Sequence, residues 1–183
     1  LDVYKHQWEV AEAVADLRNE GMPVAIDFVG PFYRDCRARL MEVIQRRDPA
    51  QHFIRYLGEI PFTELPKTYH AADGFVFAST CETISIILME GMAAGLPIAC
   101  SKFEPMPEIL GDGGVYFDPE DHREVAATLG QMTRDAVLRK FCAGRAYQRA
   151  QDYSWERCAR ETFSFLAEVG RNPESTRRDR AKP

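Results

Sequence analysis

Short apolar runs alternate with longer segments of helical character along this 183-residue chain. We expect strands at 23–29, 52–57, 74–78, 97–100 and 115–117. Runs such as Gly74-Phe75-Val76-Phe77-Ala78 are apolar at successive positions, so both faces of these strands should be buried. Strands that alternate with helices favour parallel pairing. The sequence therefore predicts an α/β fold, a doubly wound, Rossmann-like parallel sheet with helices on both faces.

Glycine and proline residues mark the ends of several helices that we expect along the chain. The first spans 5–19 and is closed by Gly21, and the second spans 31–47 and stops before Pro49. The others are expected at 61–72, 83–94, 105–110, 120–131, 133–151 and 154–169. In a sheet of this class, ligands bind outside the carboxyl ends of the strands. A ligand site should therefore be bordered by the loops after Val29, Tyr56, Ala78 and Cys100.

Charge and composition exclude several functional classes. The segment 171–183 has five basic and two acidic residues, a charge of +3, and the whole chain carries −5, so residues 1–170 carry −8. Such an acidic body lacks the basic face that a nucleic-acid-binding protein needs. No apolar run reaches the ~18 residues typical of a membrane span. The absence of a G-x-G-x-x-G motif leaves a nicotinamide or flavin site without support.

The five cysteines favour free thiols in a reducing, cytoplasmic compartment. Their number is odd, and none forms a C-x-x-C pair. Cys81 stands beside Glu82, and we interpret it as a small, partly buried filler and not as a nucleophile. No metal-ligand spacing relates the four histidines, which are His6, His52, His70 and His122. We therefore expect neither a metal ion nor another cofactor.

Two glutamates separated by seven residues, Glu82 and Glu90, are the main candidate site residues. A helix should begin directly after the first, and its opening residues are Thr83, Ile84, Ser85 and Ile86. The first N–H groups of a helix lack intrahelical partners, so this turn could hold a phosphate. The two carboxylates could then hold hydroxyl groups on either side, which suits a nucleotide sugar. Ordinary helix capping and a solvated Glu90 are the structural alternatives.

This stretch closely resembles the E-x7-E signature of retaining glycosyltransferases of the GT-B fold, the large family 4. The segments around this signature also resemble short motifs of the family. In chain order they are Tyr69-His70-Ala71-Ala72-Asp73, Glu90-Gly91-Met92-Ala93-Ala94-Gly95-Leu96-Pro97, Pro107-Glu108-Ile109-Leu110, Gly114-Val115-Tyr116-Phe117-Asp118-Pro119-Glu120 and Tyr153-Ser154-Trp155-Glu156-Arg157. The resemblance runs from about Tyr4 to Leu166 and concerns the C-terminal, donor-binding half of such enzymes.

The resemblance implies roles for individual residues. Glu90 would accept hydrogen bonds from the ribose hydroxyls of the donor, and Glu82 would face the donor sugar as the catalytic carboxylate. Lys5 would neutralise the diphosphate, with the amides of residues 83–86 beside it. Gly30 and Gly58 would lie in loops near the donor, the second against the base. A solvated lysine and ordinary turn glycines are the alternatives for the last three.

The function implied is that of a hexosyltransferase-type enzyme (EC 2.4). It would move a sugar from a nucleoside-diphosphate sugar to a saccharide or glycolipid acceptor, in polysaccharide or glycoconjugate biosynthesis, without a metal. An N-terminal acceptor-binding domain is missing from this chain, which alone is expected to be an inactive fragment. Two alternatives stay open: one half of a GT-B-like sugar-nucleotide epimerase, and a non-catalytic nucleotide-binding or interaction module.

The expected domain organisation is a body and a tail. Residues 1–170 should form the nucleotide-sugar-binding domain, lacking its first strand by comparison with the family. Residues 171–183 are polar and charged and should be disordered. The tail could also act as a basic arm that touches anionic lipid, which would make the protein peripheral at the inner face of the membrane.

Overall fold

The computed structural model describes residues 2–31 and 34–171 of the chain. The chain divides into two compact units, the first spanning Leu1–Ala150 and the second beginning at Gln151. The last helix belongs to the second unit. This division into compact units does not test the domain boundary expected at residue 170, which stays a prediction. Apart from Arg171, the expected tail lies outside the described residues.

Five strands, all in the first unit, form the sheet layer of the described residues. They are β1 (Ile26–Val29), β2 (Ile54–Gly58), β3 (Phe75–Phe77), β4 (Ile98–Ser101) and β5 (Gly114–Phe117). Every pairing is parallel, with Ile26 opposite Ile54, Phe75 opposite Ile98, and Ile98 opposite Gly114. The hydrogen-bonded ladder divides into two sheets, β1–β2 and β3–β4–β5. The parallel α/β fold is thus confirmed, but the strands do not make one continuous ladder.

Eight α-helices accompany these strands in the described part of the chain. They are α1 (Gln7–Asn19), α2 (Arg34–Arg47), α3 (Leu65–His70), α4 (Ile86–Ala93), α5 (Met106–Leu110), α6 (His122–Arg134), α7 (Ala136–Ala150) and α8 (Trp155–Arg171). Three short 3₁₀ turns occur at Val3–Lys5, Phe62–Glu64 and Gly111–Gly113. None of the helices in the described ranges is both long and apolar enough to cross a membrane.

Some predicted boundaries are wrong. The helix predicted from residue 5 begins at Gln7, because His6 takes left-handed backbone angles (φ 47°, ψ 35°) that interrupt it. The helix predicted over 61–72 is divided into a 3₁₀ turn and α3. The strand predicted from Pro23 begins only at Ile26. The helix predicted over 31–47 is described from residue 34, since residues 32 and 33 lie outside the described ranges.

Two apolar clusters cover the two faces of the sheet layer. One packs α1, α2 and α6 against Phe28, Ile54, Ala99 and Phe117, which come from both sheets. The other packs α4, α5 and α7 against residues of β3 and β4, including Ile98 and Cys100. Alternate residues of β4 thus face opposite clusters, and all four residues of this strand are buried. Burial on both faces explains why the strand sequences are continuously apolar.

The cysteines have free thiols, as predicted, but one detail differs. Cys36, Cys100 and Cys142 are buried, whereas Cys81 and Cys158 are exposed. The prediction that Cys81 is a partly buried filler is therefore wrong. The loop that carries it turns the thiol outward while Ser79, two residues earlier, is buried and hydrogen-bonded to the Cys81 backbone.

Candidate functional site

The loop that follows β3 is attached to the segment that precedes α1. The Thr80 backbone N–H donates to the Tyr4 carbonyl oxygen over 2.8 Å. The Thr80 hydroxyl donates to the same oxygen over 3.4 Å, and the His6 Nε2 lies 3.1 Å from the Thr80 Oγ1. These contacts join residues more than seventy positions apart in the sequence. They bring the segment 4–6 to the carboxyl end of β3, where ligands bind in sheets of this class.

Lys5 and Glu82, both predicted as site residues, meet at this junction. The Lys5 Nζ lies 3.4 Å from the Glu82 Oε1, and the two side chains are 23% and 15% exposed. The Glu82 Oε1 is buried and accepts no hydrogen bond from the described residues, so the contact is an ion pair without hydrogen-bond geometry. The ammonium also lies 6.0 Å from the centre of the Phe77 ring. A cation and a carboxylate are thus held close together, partly screened from water.

Glu90, on the second turn of α4, is bound by a tyrosine of α3. The Tyr69 hydroxyl donates to the Glu90 Oε2 over 2.9 Å. Burial raises the pKa of the Tyr69 phenol, and the adjacent Glu90 carboxylate raises it further, so the phenol stays protonated and remains a donor. The Tyr69 ring packs edge-on against Phe75, with ring centres 5.8 Å apart. Glu90 is therefore oriented by a tyrosine that is itself packed on β3.

Gly91 permits this close packing of α4 on β3. A Cβ atom at this position would lie 2.7 Å from the Cδ1 of Phe75, which is closer than real contacts allow. Gly91 is buried and lies within α4, where glycine lowers helix propensity. The absence of a side chain lets α4 approach the strand, and that approach sets the position of Glu90.

The four residues predicted to open a helix after Glu82 do so only in part. The helix begins at Ile86, and Thr83 and Ile84 lie in a bend before it. The Ile86 N–H donates to the Ile84 carbonyl oxygen over 2.9 Å. Ser85 stands at the N-cap without a capping side-chain bond, and its buried hydroxyl lies 3.6 Å from the Met106 sulfur. The prediction of a helical turn at residues 83–86 is therefore wrong at its start.

Gly30 and Gly58 meet at the carboxyl end of the other sheet. The Gly30 N–H donates to the Gly58 carbonyl oxygen over 2.9 Å, and the Tyr56 hydroxyl donates to the Gly30 carbonyl oxygen over 2.8 Å. Both glycines have positive φ angles, 116° and 76°, which L side chains rarely adopt. The two predicted loops are thus adjacent, with a conformation that depends on glycine.

The sequence singled out the charged candidate residues but not the residues that hold them in place. The structure brings Lys5 to Glu82 and Gly30 to Gly58, and it places Glu90 against a tyrosine. The supports that received no role are His6, Thr80, Tyr56 and Tyr69. Tyr69 begins the family-like motif Tyr69-His70-Ala71-Ala72-Asp73, and that motif was the sequence feature that could have pointed to it. Among the described residues, no group of three or more histidine, cysteine or acidic side chains is placed to hold a metal ion.

The sequence matches a known protein family and several curated relatives. The family described as Glycosyl transferases group 1 matches residues 2–135. O-antigen chain mannosyltransferase B from Escherichia coli is 33% identical over 132 residues, which are 72% of this chain and 35% of that protein. The chain spans about a third of the length of the curated relatives it matches.

Solved structures show the same fold. HepE from Anabaena, in complex with UDP-glucose, superimposes with a TM-score of 0.81 and 22% identity over 92% of this chain and 46% of that one. The C-terminal domain of LpcC, a glycosyl transferase group 1 family protein from Francisella tularensis, gives a TM-score of 0.73 at 22% identity, covering 83% and 80%. At this level of identity the likeness concerns the fold.

Proposed function

Since the chain belongs to the glycosyl transferases group 1 family, we propose that it is the donor-binding domain of a retaining GT-B glycosyltransferase of family 4. The enzyme would move a hexose from a nucleoside-diphosphate sugar to a saccharide or glycolipid acceptor, in polysaccharide or glycoconjugate biosynthesis. The similarity to an O-antigen chain mannosyltransferase supports the acceptor class. The fold shared with HepE, solved with UDP-glucose, supports the donor class.

The observation that carries this proposal is the pairing of Lys5 with Glu82 at the loop after β3. Negative charge grows on the diphosphate as the sugar leaves it, so a cation at this edge stabilises the transition state. Lysine is a point charge on a flexible stem, and its ammonium can turn from the Glu82 carboxylate toward an incoming phosphate. Glu82 is then released to face the donor sugar.

Glu90 is the proposed acceptor for the ribose hydroxyls. A carboxylate has about four lone-pair sites, and the Tyr69 hydroxyl uses one of them on Oε2. The remaining capacity suits a pair of neighbouring hydroxyl groups. Because Tyr69 is packed on β3, the carboxylate is oriented before the donor arrives, which lowers the entropy cost of binding.

The diphosphate and the base would occupy the loops beside these carboxylates. Since α4 begins at Ile86, backbone donors for the phosphate come from the loop at Thr83, Ile84 and Ser85 together with the first turn of the helix. The adjacent turns at Gly30 and Gly58 supply backbone groups for the base. No metal is required, because Lys5 supplies the positive charge.

The acceptor would be bound by a separate N-terminal domain. In a two-domain transferase the facing domains close on the donor and exclude water from the reacting groups. This chain, whose match covers about a third of the length of those two curated relatives, would supply the donor half of that site. We place the protein in the cytoplasm, with the basic tail available to contact the inner face of the membrane.

A thermal-shift panel tests the proposal. The chain is heated with UDP, GDP, ADP and their sugars, each compared with the matching nucleoside. A ligand at 100 times its dissociation constant stabilises the folded state by about 2.7 kcal/mol. One base should stabilise the chain most, and its diphosphate should exceed its nucleoside. If no nucleotide in the panel shifted the unfolding temperature at millimolar concentration, the donor-binding role would be wrong.

A further inference from the structure

His6 combines an unfavourable backbone conformation with burial. Its φ angle is 47°, one of two positive values among the non-glycine residues described. A left-handed conformation is unfavourable for an ordinary L-residue, because its Cβ lies too close to the following carbonyl oxygen. Its side chain is also buried, with 8% of the residue exposed. Such a cost is retained only where surrounding contacts hold the residue in place, and these positions concentrate at functional sites.

The contacts of His6 lead to the candidate site. Because the Thr80 hydroxyl lies 3.4 Å from the Tyr4 carbonyl oxygen and can donate to it, we assign the tautomer in which the His6 Nε2 carries the proton and donates to the Thr80 oxygen. Lys5 lies between Tyr4 and His6 in sequence, and Glu82 lies two residues beyond Thr80. The bonds to Thr80 therefore bracket the ion pair between Lys5 and Glu82.

Charges around His6 are consistent with a neutral ring that donates from Nε2. Burial lowers the pKa of His6, and Arg39 lowers it further. The negative charges that oppose these effects belong to Glu120, Glu9 and Asp118. The ring thus serves as a hydrogen-bond donor without adding a positive charge of its own at neutral pH.

We propose that His6 is a positioning residue for the donor site. Through Thr80 it holds the segment 4–6 on the loop after β3, and so fixes the backbone from which the Lys5 side chain would reach a bound diphosphate. This inference rests on the proposed function, because it assigns a purpose to the position of Lys5. It differs from a purely structural role, because the effect of His6 on ligand binding should pass through Lys5.

The main test is a double-mutant cycle on the 183-residue chain. Affinities are measured by NMR titration, because this method can measure dissociation constants in the millimolar range. The probes are UDP, GDP, ADP and inorganic pyrophosphate. Thr80→Val keeps the β-branched shape and removes the hydroxyl, and His6→Gly removes the donor and the strain. Each should weaken diphosphate binding about threefold to tenfold in the wild-type background. Neither should weaken it further in a Lys5→Ala background, since the group being positioned is absent.

Matched variants separate the hydrogen bond from the backbone. His6→Gln keeps an N–H donor at similar reach, and glutamine tolerates such angles here, since Gln51 has a φ of 53°. This variant should recover most of the affinity lost in His6→Gly. Gln51→Gly relieves a comparable conformation in another loop and should leave diphosphate binding unchanged. If His6→Gly failed to fold, Thr80→Val would still decide the matter.

Three outcomes would overturn the inference: wild-type affinity in both Thr80→Val and His6→Gly, equal losses with and without Lys5, or no recovery in His6→Gln. Failure of the proposed function would look different, because the wild type itself would then bind none of the probes. Hydrogen exchange of the Thr80 amide gives a ligand-free check. The amide should exchange faster in His6→Gly and Thr80→Val than in Gln51→Gly.

Discussion

At the scale of single residues, removal of the Glu90 side chain should reduce nucleotide affinity most directly. We expect Glu90→Ala to weaken nucleoside-diphosphate binding by about 1.5–3 kcal/mol, because hydrogen bonds to a charged acceptor are lost. Calorimetry measures the change, with Glu42→Ala on the exposed face of α2 as a matched control. Unchanged affinity in a folded Glu90→Ala variant would remove Glu90 from the site.

Lys5 should discriminate between the phosphate and the base. We expect Lys5→Ala to weaken binding of the nucleoside diphosphate and to leave binding of the nucleoside nearly unchanged, because a point charge acts on the phosphate alone. At near-surface dielectric, the loss should be on the order of 1–3 kcal/mol. Titrations with both ligands give the comparison. An equal loss for the two would mean that Lys5 supports the fold or the base pocket.

Glu82 should have the opposite effect on ligand affinity. It lies 3.4 Å from the lysine that a diphosphate would need, so the two negative groups compete for one cation. Glu82→Gln should therefore bind diphosphate more tightly, by roughly twofold to tenfold. Adding Lys5→Ala should abolish that gain. Weaker binding in Glu82→Gln alone would show that the carboxylate supports the phosphate site and does not compete with it.

Residue identities were easier to predict than residue environments. Lys5 and Glu82 could be predicted as candidate site residues from family-like motifs, because charge and spacing are visible in a sequence. The roles of His6 and Tyr69 could not, since each depends on a contact with a distant partner, Thr80 or Glu90. A left-handed histidine has no sequence pattern, because the default expectation for that conformation is glycine.

At the scale of elements, the turn before β2 depends on one buried carboxylate. The Asp48 side chain accepts N–H bonds from His52, Phe53 and Ile54 over 3.0, 2.7 and 2.8 Å. Burial alone would raise the pKa of Asp48, but these three bonds lower it overall, below its usual 3.8. The turn thus fixes the start of β2, whose other end carries Gly58 at the candidate site.

Asp48→Asn should destabilise the chain in a pH-dependent way. A carboxylate whose pKa is lowered in the folded state stabilises it fully above the unfolded pKa, and this contribution is lost as the pH falls through the folded value. We expect a loss on the order of 1–3 kcal/mol at pH 7. Urea unfolding from pH 7 to pH 2.5 should show the two stabilities converging below about pH 3.8. A constant difference across that range would contradict this account.

The elements themselves were largely predictable, and their ends were not. All five strands lie inside or within a residue of the predicted runs, because burial on two faces leaves a continuous apolar pattern. The start of α4 was misplaced, because Thr83 and Ile84 are compatible with either a helix or a bend. The division of the ladder between β1–β2 and β3–β5 depends on long-range pairing, which apolar periodicity does not specify.

At the scale of the whole molecule, we expect this chain to fold alone and to transfer no sugar. The first unit has apolar clusters on both faces of its strands, which supports independent folding. The acceptor and part of the catalytic apparatus would come from a facing domain. We therefore expect nucleotide dissociation constants of about micromolar to millimolar and no turnover.

A radiolabelled-donor screen checks the lack of turnover. Pooled UDP-, GDP- and ADP-sugars are offered with saccharide and lipid acceptors, and a full-length relative of the same family serves as the positive control. Reproducible transfer by the 183-residue chain, lost on Glu82→Ala, would show that the second domain is not required. That result would overturn the proposed division of the site between two domains.

The close approach of Gly91 to Phe75 determines which part of α4 could be redesigned. Even one added methyl group at position 91 would push the Phe75 ring, and with it Tyr69, away from the carboxylate of Glu90. A larger residue therefore does not fit at position 91, on the side of α4 that packs against β3. The opening of the helix is less constrained, because the side chains of Ile84, Ile86 and Ile87 are exposed. Substitutions confined to those three positions would alter the opening of the proposed phosphate site and leave the hydrogen bond between Tyr69 and Glu90 in place.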